Sequence, residues 1–174
     1  MKSAKKMKKN KFNYWNWFFQ GINSDPGYKR IINKWILFHL LIGIVLSFIV
    51  ELPLKEIANK VLIPLSGLFI GLSFGWIGNS ILLLQNKKVN SILKKREGGF
   101  IEYPYAFQTA VLMVFISIIC WGIVGMEVVD TIIYIETISY FYFKIILFTM
   151  SSMTIRECWH VVLGVQFMLI LNDN

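Results

Sequence analysis

Four stretches of the chain are apolar for long enough to enter a lipid bilayer, and most polar residues fall between them: 31–50, 61–85, 105–124 and 137–155. A hydrocarbon core of about 30 Å needs about 20 helical residues at 1.5 Å each. These stretches are apolar all round rather than striped, as expected of helices whose solvent is lipid. The most regular is 61–85, VLIPLSGLFIGLSFGWIGNSILLLQ, which carries no charge. Gly67, Gly71, Gly75 and Gly78 recur along one narrow stripe, and Ser66, Ser73 and Ser80 recur every seventh residue on roughly the opposite side. Glycine has no Cβ, so a partner backbone can approach closely, a main source of helix attraction in lipid. The pattern predicts a central helix with one face on a helix of its own chain. The other face meets a second subunit or a polar cavity, the plainer alternative being that both pack inside one bundle.

The breaks between the apolar stretches predict the remaining boundaries. Asn23-Ser24-Asp25-Pro26-Gly27 reads as a turn and helix start, with Ser24 or Asp25 as cap and Pro26 in the first turn. The first crossing is flanked by Lys29, Arg30 and Lys34 at its start and by Glu51 and Pro53 at its end, with His39 one turn inside. A histidine there can sense protons or face a cavity, the plainer alternative being a hydrogen bond to a neighbouring helix. Residues 52–60 read as a short loop, and Pro104 opens the third crossing. The last apolar stretch is too long for one simple crossing. It reads as a fourth crossing, 137–155, then Arg156-Glu157-Cys158-Trp159-His160 at the inner interface, then an apolar helical tail, 156–171 overall. Such a tail needs cover, from the Val89 and Ile92 face of the preceding basic loop or from the same tail of another subunit. Within the fourth crossing Lys144 shares a face with Thr137, Tyr140, Phe148 and Ser151. Tyr140, Lys144, Phe148 and Ser151, with Ser66, Ser73 and Ser80, are candidates to line a water-filled path in which Phe148 is the constriction. The plainer alternative is that Lys144 snorkels to the interface past Tyr140.

Charge adds direction. Of 174 residues 56% are hydrophobic, and the net charge of +8 is unevenly spread. Residues 1–25 form an arm rich in lysine and aromatics, predicted to wind as an amphipathic helix at the membrane surface. Lys5, Lys6, Lys8, Lys9, Trp15 and Trp17 of this arm, with Lys87, Lys88, Lys94, Lys95 and Arg96, are candidates to bind anionic lipid or an anionic ligand such as a nucleic-acid strand. Glu127, Asp130 and Glu136 lie in the opposite loop. By the positive-inside rule both termini and the 86–102 loop are cytoplasmic. The expectation is an all-α, multi-pass protein of the inner membrane: an arm, 1–25, and a domain of four transmembrane helices, 26–171, with a cytoplasmic extension of the last helix.

Catalytic chemistry finds no support. Cys120 and Cys158 are predicted at different depths and match no metal spacing, the two histidines fall on different helices, and there is no phosphate loop or nucleophile elbow. No enzyme activity, metal or cofactor is expected. A proton-handling cluster at Arg156, Glu157 and His160 is the alternative to a plain interfacial charge cluster.

In size, four crossings, a basic-aromatic arm (Lys5-Lys6 through Trp17) and a basic inner loop (Lys94-Lys95-Arg96), the chain resembles small membrane effectors of bacterial anti-phage systems, including the DNA-oligomer-gated channel of the Hailong type. It also resembles the four-crossing immunity proteins that protect cells from pore-forming colicins. The first resemblance implies a homo-oligomeric ion-conducting effector whose basic cytoplasmic face takes a nucleotide or DNA oligomer. The second implies a non-conducting protein that binds another membrane protein through its glycine face.

Overall fold

The computed structural model describes residues 13–21, 26–93, 102–126 and 137–173, all helical or connecting, with no strand among them. They divide into two compact units at Asn33 and Lys34.

In the first unit α1 (Tyr14–Gln20) starts where the Asn13 side chain accepts the Trp15 N–H at 3.1 Å. It stops at Gly21, whose φ of 75° suits a residue without a Cβ and whose N–H returns to the Trp17 carbonyl at 2.9 Å. Trp17 is buried over Gly27, where a Cβ would stand 2.6 Å from the indole ring. α2 (Tyr28–Ile31) is a single turn. Pro26 precedes it and Gly27 occupies the cap position; Ser24 and Asp25 lie outside the described residues. The Asn33 amide donates to the Arg30 carbonyl at 2.8 Å and competes with further helix there. The first apolar helix therefore starts later than its composition predicts, at Trp35 rather than residue 31.

The second unit contains that helix, α3 (Trp35–Ile49), then α4 (Leu54–Ile57), a π-helical turn (Ala58–Leu62), α5 (Ile63–Gln85), α6 (Lys87–Leu93), α7 (Glu102–Gly125) and α8 (Thr137–Asp173). α3 gives way to extended Val50 shortly before Pro53. The expected loop 52–60 is helical from Leu54, supported by a Lys60–Glu56 ion pair of 2.8 Å one turn apart. The widened π turn ends two residues before Pro64, whose ring in a regular helix would clash with the carbonyl four residues back. Three helical runs are long and apolar enough to cross a membrane: Leu54–Gln85, Tyr103–Gly125 and Tyr140–Asn172. α3 is apolar but shorter, about 22 Å at 1.5 Å per residue.

The organising helix is α8, not α5. α3, α5, α6 and α7 all pack on α8, while α5 leaves one side open. One unbroken helix runs through 137–171, so the stretch expected as the fourth crossing and the helical extension expected after it form a single element. Its second half is covered as one alternative foresaw, by the basic segment after α5. The contact is made by Val89 and Leu93, one turn apart on α6, rather than by Val89 and Ile92. They pack with Phe107, Val161, Val165 and Met168 in one apolar cluster. A second cluster at the other end joins Leu54, Ile57, Ala58, Trp121, Val124, Leu147 and Phe148.

Candidate functional site

Between the two apolar clusters α8 changes character. Residues 151–158 read SSMTIREC, and their polar groups meet polar groups from each long neighbour. Trp121 Nε1 of α7 donates to Ser151 Oγ at 2.7 Å, and Ser117 and Thr154 hydroxyls share a bond of 2.6 Å. His39 Nδ1 of α3 and Ser152 Oγ are 2.8 Å apart. Ser73 of α5 donates to Cys158 Sγ at 3.6 Å. Ser66, Ser117, Ser151 and Thr154 border a cavity of about 20 Å³, room for one water. Arg156 donates to Glu157 from Nε at 3.0 Å and from Nη2 at 2.7 Å, and Glu157 is only 1% exposed. At 1.5 Å per residue Glu157 lies about 30 Å from one end of α8 and about 24 Å from the other. The ion pair thus sits near mid-helix, not at a helix end as the charge pattern suggests. His160, expected beside it, is exposed, and the Arg156 and Glu157 charges act on the imidazole of His39.

The stripe Tyr140–Lys144–Phe148–Ser151 does share a face, and within one chain that face closes helix ends and fills core. Lys144 Nζ donates to the Val50 carbonyl at the end of α3, a favourable place for a cation. Tyr140 Oη accepts the first N–H of α4, from Leu54, at 3.0 Å. Phe148 packs against Trp121 with ring centres 5.9 Å apart. At the same end the Asn59 amide, on the π turn, donates to the Gly125 carbonyl that ends α7, at 3.1 Å. Ser66, Ser73 and Ser80 are buried on the inner face of α5, Ser66 and Ser80 bonded to carbonyls of their own helix. Gly67, Gly71, Gly75 and Gly78 lie on the other face, where an added Cβ would meet nothing within 4 Å. Of the basic and aromatic candidates, Trp15, Lys87 and Lys88 are exposed, whereas Trp17 is enclosed by Gly27 and cannot offer its face to a base. Lys5, Lys6, Lys8, Lys9, Lys94, Lys95 and Arg96 lie outside the described residues.

The sequence reading gave His39 a hydrogen bond to a neighbouring helix, which Ser152 of α8 makes, or a proton-sensing place, but two features escaped it although a signal existed. His39, Gly43 and Ser47 recur every fourth residue on α3 and are its three buried residues. This small-residue spacing is the same signal that drew notice to α5. The pairing of Ser117 and Trp121, one turn apart on α7, with Thr154 and Ser151 on α8 was the second.

The described residues are all-helical or connecting, and three of their helical runs are long and apolar enough to cross a membrane. No family model, no curated protein and no solved structure matches the chain.

Proposed function

We propose that the protein is a multi-pass protein of the inner membrane that self-associates through the glycine face of α5 and conducts ions as an assembly. One observation carries this reading. Four glycines on a single face of an apolar helix have no neighbour among the described residues of their own chain, so a second helix can come to backbone distance there. The polar layer adds support, because ionisable groups held inside a membrane bundle commonly mark ion or proton pathways. α3 serves as the fourth crossing, its shortfall in length met by tilting neighbours or local thinning of the bilayer. Both termini and the α6 end face the cytoplasm, where Lys87, Lys88, Lys94, Lys95 and Arg96 with the arm lysines and Trp15 receive an anionic ligand, a nucleotide or a DNA oligomer. The setting is a defence effector that depolarises the cell.

A second reading, a non-conducting subunit of the immunity type that binds another membrane protein, is favoured by the use of Tyr140, Lys144, Phe148 and Ser151 for packing within one chain. Reconstitution separates the two. Single-molecule photobleaching in lipid bilayers is expected to show several copies per particle, reduced to one by Gly71→Leu with Gly75→Leu. Current across the same bilayers is expected from wild type and absent from the variant. A wild-type protein that stays single overturns the assembly, and copies without current favour the second reading.

A further inference from the structure

His39 is 6% exposed, and its Nε2 is enclosed without a hydrogen-bond partner. A ring nitrogen buried without a partner is unfavourable. Its other nitrogen is engaged by Ser152, one turn before Arg156 on α8. Both charges of the Arg156–Glu157 pair act on the ring. These residues come from two helices and meet near the middle of α8, between two apolar clusters. We propose that His39, Ser152, Arg156 and Glu157 form a proton-binding site inside the bundle.

The chemistry is a simple transfer. Hydronium gives one proton to the neutral imidazole, water leaves, and no covalent bond in the protein is broken. In the imidazolium both ring nitrogens carry a proton. Ser152 Oγ accepts from Nδ1–H, and the charge of the Glu157 carboxylate stabilises the positive ring as a whole. Before protonation the cluster sums to zero, one guanidinium against one carboxylate. Afterwards it carries a second cation beside Arg156, with a single carboxylate to balance both. The charged groups facing the imidazole from α8 are Arg156 and Glu157. Lys144 is held at the far end of α3 by the Val50 carbonyl, and α3 contributes no other titratable side chain within its own helix.

The site rests on the membrane reading but not on conduction, and its test needs no current. The full chain carrying ¹³C,¹⁵N-labelled histidine is placed in lipid nanodiscs, with His160→Gln leaving one histidine to observe. Ring resonances of His39 are expected to titrate in one step between about pH 4 and about pH 9. Glu157→Gln removes the balancing carboxylate and is expected to move the midpoint down by about one pH unit, tenfold in proton affinity. Arg156→Gln removes the competing cation and is expected to move it up by a similar amount. A general loosening of the fold would shift both variants the same way. Absence of any titration, or midpoints unmoved by either substitution, overturns the proposal. Should Glu157→Gln fail to fold, Arg156→Gln alone decides: a raised midpoint supports the site and an unmoved one sinks it.

Discussion

Gly43 and Gly71 are the same residue at opposite ends of the packing scale. A Cβ on Gly43 would stand 2.2 Å from Thr149 Oγ1 and 2.8 Å from the Ile145 carbonyl, whereas one on Gly71 meets nothing within 4 Å. The backbone oxygen cannot rotate away, so Gly43→Ala must push α3 off α8, at a cost of about 1–3 kcal/mol. Gly71→Ala exchanges a poor helix former for a good one in open space and is expected to be neutral or stabilising by up to about 1 kcal/mol. Thermal unfolding of the two variants in detergent, where α5 is not held by another copy, checks the contrast. Equal losses would mean that the α3–α8 seam is loose. Small-residue spacing was visible at both positions, but periodicity names a face and not its occupant. The same limit applies to Lys144. Its shared face with Tyr140 and Phe148 followed from helical geometry, while the Val50 carbonyl opposite depends on a chain reversal that no local pattern encodes.

Among the elements, the apolar helices were legible because length and composition alone distinguish them. Their ends were less so, since side-chain hydrogen bonds at Asn33, the Glu56–Lys60 pair and Pro64 decide them. The helical extension of α8 past residue 155 was legible, but Arg156 and Glu157 look like an interfacial charge cluster until they are seen to pair with each other. α6 shows what covers the second half of α8. Leu93→Asp would bury a carboxylate against Val165 and Met168, and docking of α6 is expected to fail. Limited trypsin digestion at Lys87 and Lys88 should then accelerate about tenfold or more, the equivalent of about 1.4 kcal/mol of lost docking at 25 °C. Ser91→Asp, on the exposed side of the same helix, should leave the rate unchanged. Identical rates for the two variants would show that α6 is not held by this contact.

For the whole molecule, orientation is the property on which the ligand reading turns. Glu51 and Lys88 are both exposed, and the proposed orientation puts them on opposite sides of the membrane. With Cys120→Ala and Cys158→Ala as background, an impermeant maleimide is expected to label Glu51→Cys in intact cells. It should label Lys88→Cys only after permeabilisation. The reverse result would turn the basic surface outward and remove any cytoplasmic ligand from consideration.

The hub position of α8 also sets an order of events during synthesis. α3, α5 and α7 leave the ribosome before the helix on which they pack. Trp121 must wait for Ser151, which follows it by 30 residues, a delay of a few seconds at about 5–20 residues per second. During that interval an indole N–H and the Ser117 hydroxyl sit in the nascent bundle without their eventual partners. α8 is therefore the latch that closes the bundle, and it arrives last.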